Sequence, residues 1–167
     1  MIFLDSDTLS YFLAENRKIV HRVKETIEDG TILAISSVTA YEILKGLQYR
    51  GNKKKAARFQ SLLEYVEVIP FSIDVVPIAA GIYAELRKTG ITIGDADILI
   101  ASTVIANNGV LVTNNERHYQ NIQSISLTNW SKVQEPDHEP GNAVPAEDNH
   151  KPVNQIDGDT GKDAGPE

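Results

Sequence analysis

The feature that most restricts what this chain can fold into is an alternation. Short runs rich in apolar residues, at Met1–Leu4, Thr31–Ser36, Val66–Phe71, Val110–Thr113 and Ile125–Leu127, are separated by stretches with helical spacing. Runs this short read as strands, and the first, Met1–Leu4, as one buried on both faces. Strands that alternate with helices are joined by crossovers and so lie parallel. The fold class expected is α/β, a three-layer domain with a parallel sheet of four to five strands flanked by helices.

Helices are predicted over Thr8–Asn16, Asn16–Gly30, Val38–Gly51, the stretch from the charged gap at Arg50–Lys55 to about Tyr65, Ile73–Thr89, and Asp95–Gly109. Asp7 reads as the N-cap of the first, Ser37 or Thr39 as that of the third, and Asp95 as that of the last. Tyr41, Leu44 and Leu47 form one apolar stripe and Ile78, Ile82 and Leu86 another, and both are expected in the core.

Charge separates the chain into two parts. The net charge is −7, from 23 acids against 16 bases. Residues 134–167 hold nine of the acids and two of the bases, so they carry the whole imbalance. Residues 1–133 are neutral and form the expected domain; a polyanionic partner is not repelled by it. The segment 134–167 is rich in Pro, Gly, Asn and Asp, too poor in large apolar residues to offset its ordering entropy, and is expected to be a disordered acidic tail. With no cysteine there is neither a disulfide framework nor a thiolate metal site, which suits a reducing compartment. No apolar run approaches the roughly 18–20 residues of a membrane helix, and a cytoplasmic protein with no membrane partner is expected.

Polar groups fall beside the carboxyl ends of the predicted strands at four places: Asp5; Glu42; Asp95 and Asp97; Asn114 and Asn115. In a parallel sheet those ends share one edge, so residues far apart in sequence can converge there. Several carboxylates without basic partners repel one another unless a cation neutralises them. All-oxygen donors select a hard ion, Mg²⁺ or Mn²⁺, over Zn²⁺. Such a site orients a phosphodiester, acidifies an attacking water and stabilises charge building on phosphorus. Each residue also has a plainer role: Asp7 as a cap, Asp95 and Asp97 at the positive end of a helix dipole, Asn115 in a turn.

Five segments carry a resemblance: IFLDSDTLSYFL (Ile2–Leu13), SSVTAYEILKGL (Ser36–Leu47), IGDADILIAS (Ile93–Ser102), LVTNNERHY (Leu111–Tyr119) and ISLTNW (Ile125–Trp130). In order and spacing they resemble a PIN-domain ribonuclease, the VapC-type toxin of bacterial and archaeal toxin–antitoxin pairs, over about residues 1–131. The resemblance implies a Mg²⁺-dependent endoribonuclease. Its first acid falls on Asp5, its helical glutamate on Glu42, its third acid on Asp97 with Asp95 as an additional neighbour, and its fourth acidic position on Asn115. There the chain departs from the four-acid pattern, which leaves a second metal ion in question. Ser6 matches a small hydroxyl position. The resemblance further implies an RNA substrate, a homodimer and a small antitoxin that covers the site.

The bases Lys45, Arg50, Lys53, Lys54, Lys55 and Arg58 form the strongest local positive field of the neutral domain. Lys45, Arg50 and Lys53 are candidates for RNA phosphate contacts, which give affinity without sequence readout. Two rival readings stand beside the nuclease. Asp5-Ser6-Asp7-Thr8-Leu9 is similar to the opening DxDxT of haloacid-dehalogenase-type phosphatases, with Asp5 as nucleophile and Asp7 as general acid. That pattern wants a lysine on a separate element, whereas Lys88 lies only seven residues before Asp95, and it gives Glu42 no role. The other rival is a PIN-like module that binds RNA or protein without cutting.

Overall fold

The structure, a computed structural model, describes residues 1–132; the tail expected at 134–167 lies outside the described residues. Five strands form one sheet: β1 (Ile2–Leu4), β2 (Leu33–Ser36), β3 (Glu67–Ile69), β4 (Val110–Val112) and β5 (Ser126–Thr128). All pair in parallel, in the order β3-β2-β1-β4-β5. The helices are α1 (Ser6–Leu13), α2 (Arg17–Glu28), α3 (Ser37–Arg50), α4 (Lys53–Leu62), α5 (Val76–Lys88, preceded by a 3₁₀ turn at Ile73–Val75), α6 (Asp95–Ala106) and α7 (Glu116–Tyr119).

The period-two alternation of side chains along the strands feeds two cores. Leu4, Leu33, Ile35 and Val112 face one side, where Leu9, Leu13, Ile19, Val23, Phe59 and Leu62 of α1, α2 and α4 cover them. Phe3, Ala34 and Leu111 face the other, under Ala79, Ile82 and Leu86 of α5 and Ile98, Ala101 and Val104 of α6. This is the expected three-layer arrangement. α3 touches both cores, with Ile43 and Leu47 in the first and Val38 against the second.

Several local expectations need correction. Asp5, not Asp7, caps α1: its backbone is extended (φ −73°, ψ 160°) and its carboxylate accepts the Ser6 N–H, which leaves Asp7 inside the first turn. Ser36 caps α3 in place of Ser37 or Thr39, by accepting the Thr39 N–H. Gly94 precedes α6, so Asp95 is its first helical residue rather than its cap. α4 ends at Leu62, short of Tyr65. The stripe Tyr41–Leu44–Leu47 is divided: Leu47 is buried, whereas Tyr41 is 62% and Leu44 40% exposed. The face of α3 that meets the core carries Thr39, Ile43 and Leu47 instead. Gly51 closes α3 in the left-handed region at φ 61°, which a side chain would strain.

With β1 central, β2 and β3 extend the sheet one way and β4 and β5 the other. In open parallel sheets such a reversal leaves a crevice beyond the carboxyl ends of the two strands it separates. Here those strands are β1 and β4.

Candidate active site at the ends of β1 and β4

The crevice begins where β1 stops. The Asp5 N–H still donates to the Val112 carbonyl of β4 (3.1 Å), so the backbone is held in the sheet while the side chain turns to start α1. Asp5 is buried. Its Oδ1 accepts the Ser6 N–H at 2.7 Å and its Oδ2 accepts the Thr113 hydroxyl at 2.8 Å. Thr113 in turn accepts the Asn115 N–H through the same hydroxyl at 3.0 Å, which locks the turn after β4.

Asp97 arrives from the first turn of α6. Its Oδ2 pairs with His118 Nδ1 at 3.0 Å. A Cβ at Gly94 would stand 3.2 Å from that Oδ2, so the glycine leaves room for the carboxylate. Between the two acids lies Tyr119, whose hydroxyl is 3.2 Å from Asp5 Oδ1 and 3.3 Å from Asp97 Oδ1. Burial pushes Asp5 up to a pKa of about 6; the Thr113 and Ser6 bonds oppose that rise, and the charges of Asp7 and Asp97 add to it. Burial first, then the two carboxylates, hold the Tyr119 phenol far above the usual tyrosine range, so it stays a donor.

The other candidates stand apart from this pair. Glu42, half-buried on α3, lines an open pocket of about 330 Å³ with Ser6, Asp7, Lys45, Arg50 and Lys55. Asp7 also lines a polar groove with Tyr11, Asn114 and Asn115, on which Arg117 and Lys132 border. Asp95 is exposed. The Asn115 amide oxygen accepts from Arg117 Nε at 3.2 Å. Among the described residues, no three His, Cys, Asp or Glu side chains are grouped to hold an ion. The structure thus brings together Asp5 and Asp97, and it leaves Glu42, Asp95 and Asn115 outside that pair.

The basic cluster is divided as well. Lys45, Arg50 and Lys55 border the Glu42 pocket, whereas Lys53 does not. Lys54 and Arg58 both pair with Glu15, at 3.6 and 2.6 Å. Sequence reasoning missed Thr113, His118 and Tyr119. The available signal was the requirement that a buried carboxylate find donors, which a strand-end Thr and a nearby Tyr can supply.

The pair suits a hard divalent cation. Among the described residues no lysine or arginine lies within ion-pair distance of Asp5 or Asp97. Every Asp5 and Asp97 donor atom is oxygen, and the amide oxygen of Asn114, which follows Thr113 in the chain, is buried with no hydrogen-bond partner. Burial disfavours the charge on Asp5 despite its hydrogen bonds, and a cation would offset that cost.

Comparison with known proteins bears on the same segment. Residues 2–122 match the PIN domain family. Ribonuclease VapC2 of Rickettsia felis is 30% identical over 130 residues, covering 77% of this chain and 97% of that protein. Ribonuclease VapC1 of Methanocaldococcus jannaschii is 34% identical over 114 residues, covering 65% and 78%. Among solved structures, VapBC2 from Rickettsia felis bound to a promoter DNA fragment superposes with a TM-score of 0.71 at 29% identity, over 78% of this chain and 99% of that one.

Proposed function

The chain belongs to the PIN domain family, among its VapC-like members, and on that premise we propose that it is the ribonuclease toxin of a toxin–antitoxin pair, an endoribonuclease dependent on Mg²⁺ or Mn²⁺. The observation that carries the reading is the pair of carboxylates, Asp5 and Asp97, joined at one phenol with, among the described residues, no lysine or arginine within ion-pair distance of either. Asp5 and Asp97 would hold the ion, which when bound lowers the barrier to attack of water on phosphorus. The chain's own groups do the rest. Thr113 and the Ser6 N–H orient Asp5. Lys45, Arg50 and Lys55 bind backbone phosphates along the pocket that leads to Ser6 and Asp7. The Glu42 carboxylate on the same pocket orients the attacking water and takes its proton.

The test is cleavage of total RNA by the purified chain with Mg²⁺, in wild type and in Asp5→Asn and Asp97→Asn. We expect cleavage by the wild type alone. Cleavage that persists in either variant rejects the site. No cleavage by antitoxin-free wild type favours the alternative of a module that binds RNA without cutting.

The antitoxin partner is supported by the VapBC assembly named for the Rickettsia structure. We assign it the apolar groove of about 370 Å³ between α1, α2 and α4, lined by Phe12, Val20, Val23, Ile27, Leu62 and Tyr65. A groove of that shape takes the apolar face of a helix. Apolar side chains left exposed on α3 and around the start of α5, Tyr41, Leu44, Ile73 and Val76, are the surface we assign to a homodimer. Among the described residues no helix is long and apolar enough to cross a membrane, and we place the protein in the cytoplasm with its RNA.

A further inference from the structure

Tyr119 is the bulkiest wholly buried side chain of the domain, and its ring packs in the α5/α6 core with Phe3, Ile98 and Leu111. Phenylalanine would fill that space without burying a hydroxyl. The hydroxyl is offset only by what it touches, and it touches both Asp5 and Asp97. Its neighbour in the chain, His118, takes the other oxygen of Asp97. Two consecutive residues of the four-residue α7 therefore grip the two oxygens of one carboxylate, and the second of them also reaches the other acid.

The acceptor count shows what this leaves open. A carboxylate oxygen accepts about two hydrogen bonds. Asp5 Oδ1 is met by the Ser6 N–H and hydroxyl, and it shares the single Tyr119 hydroxyl proton with Asp97 Oδ1. Among the described residues Asp5 Oδ2 carries only the Thr113 bond, Asp97 Oδ2 only that to His118, and Asp97 Oδ1 only its share of the Tyr119 proton. An open acceptor position therefore remains on each of these three oxygens, at least one on either acid. We propose that Tyr119 is a positioning residue for the cation: its hydroxyl sets the separation and the rotation of Asp5 and Asp97, so that a small divalent ion meets a preformed pair. This rests on the metal-dependent reading above. A hydrogen bond of this outer kind orients ligands without touching the ion.

The experiment is calorimetric titration of Mg²⁺, and separately of Ca²⁺, into wild type and Tyr119→Phe in the absence of RNA. Loss of an outer-shell partner costs roughly 10–100-fold in metal affinity. We expect Tyr119→Phe to bind Mg²⁺ more weakly by that factor and to discriminate less between Mg²⁺ and the larger Ca²⁺, with its circular dichroism unchanged. Equal affinity and equal discrimination in the two proteins overturn the proposal and leave the metal site standing. No binding to the wild type overturns both.

A measurement on the wild type guards against a phenylalanine variant that does not fold. The other five tyrosines, Tyr11, Tyr41, Tyr49, Tyr65 and Tyr83, are all exposed. A Mg²⁺-induced tyrosine difference spectrum that solvent perturbants do not alter therefore reports Tyr119. That signal is expected, and its absence overturns the proposal.

Discussion

The Thr113 hydroxyl donates to Asp5 Oδ2 over 2.8 Å and ties the end of β4 to the end of β1 across 108 residues of sequence. The bond favours the charged form of Asp5, against the burial that opposes it. Thr113→Val keeps the shape and removes the donor. Losing a hydrogen bond to a charged group costs about 1.5–3 kcal/mol. Urea denaturation at pH 8 is expected to show a loss of that size, shrinking below pH 5, where Asp5 is protonated. The Asp5 carboxyl, followed by NMR, is expected to titrate above its wild-type value.

Asp5 itself makes folding depend on pH with an unusual sign. Its pKa is about 6 in the folded protein against 3.8 for an unperturbed aspartate. Between those values the folded state binds more protons than the unfolded state, so stability falls as pH rises, and the loss is complete above the folded value. The cost at pH 7 is about 3 kcal/mol. Asp5→Asn retains a capping oxygen for the Ser6 N–H and carries no charge. We expect it to be more stable than wild type at pH 7 by about 1–3 kcal/mol, with the advantage gone at pH 4, while cleaving no RNA. Thermal melts of both proteins across that range check the sign.

The two groups of bases should separate in an RNA-binding titration. Lys45, Arg50 and Lys55 line the pocket beside Glu42, whereas Lys54 is paired with Glu15. Replacing Lys45, Arg50 and Lys55 together by alanine should flatten the dependence of log affinity on log salt by about 0.7 per lost phosphate contact. Lys54→Ala should leave the slope as it is. An unchanged slope in the triple variant places RNA elsewhere.

Gly109 precedes β4 with no room for a side chain. A Cβ there would lie 2.6 Å from two ring carbons of Phe3, which is itself buried in the sheet. Overpacking of this kind costs typically about 1–3 kcal/mol. Gly109→Ala is expected to lower the denaturation midpoint accordingly, and Phe3→Leu in the same chain to restore part of the loss.

Val20 lines the apolar groove but is only half-buried. Val20→Glu is expected to abolish capture of the antitoxin by size-exclusion chromatography while leaving the melting temperature within a few degrees. Retained capture moves the partner to another face.

Much of the domain was legible because the signals are short in range. Apolar runs of three to six residues mark strands wherever they lie, and helical spacing between them forces parallel pairing. The acids Asp5 and Asp97 could be named because strand ends and helix starts are local features. The neutral 1–133 segment and the acidic 134–167 segment followed from charge counts alone.

Other features depend on contacts between distant parts of the chain. A periodic stripe says that a helix has an apolar face, but not how the helix is rotated against its neighbours. α3 turns Ile43 and Leu47 inward and leaves Tyr41 and Leu44 in solvent. Capping preference ranks Asp5 and Asp7 equally; the ladder bond from the Asp5 N–H to Val112 decides that the helix begins at Ser6. The approach of Tyr119 to Asp5, 114 residues away, follows from no local rule. By itself the sequence determined which elements form and which chemistry gathers at the sheet edge, since both rest on interactions within a turn or a strand. Only the tertiary structure decided which acids meet and what holds them, because that depends on the register of β1 against β4 and on where α6 and α7 pack above it.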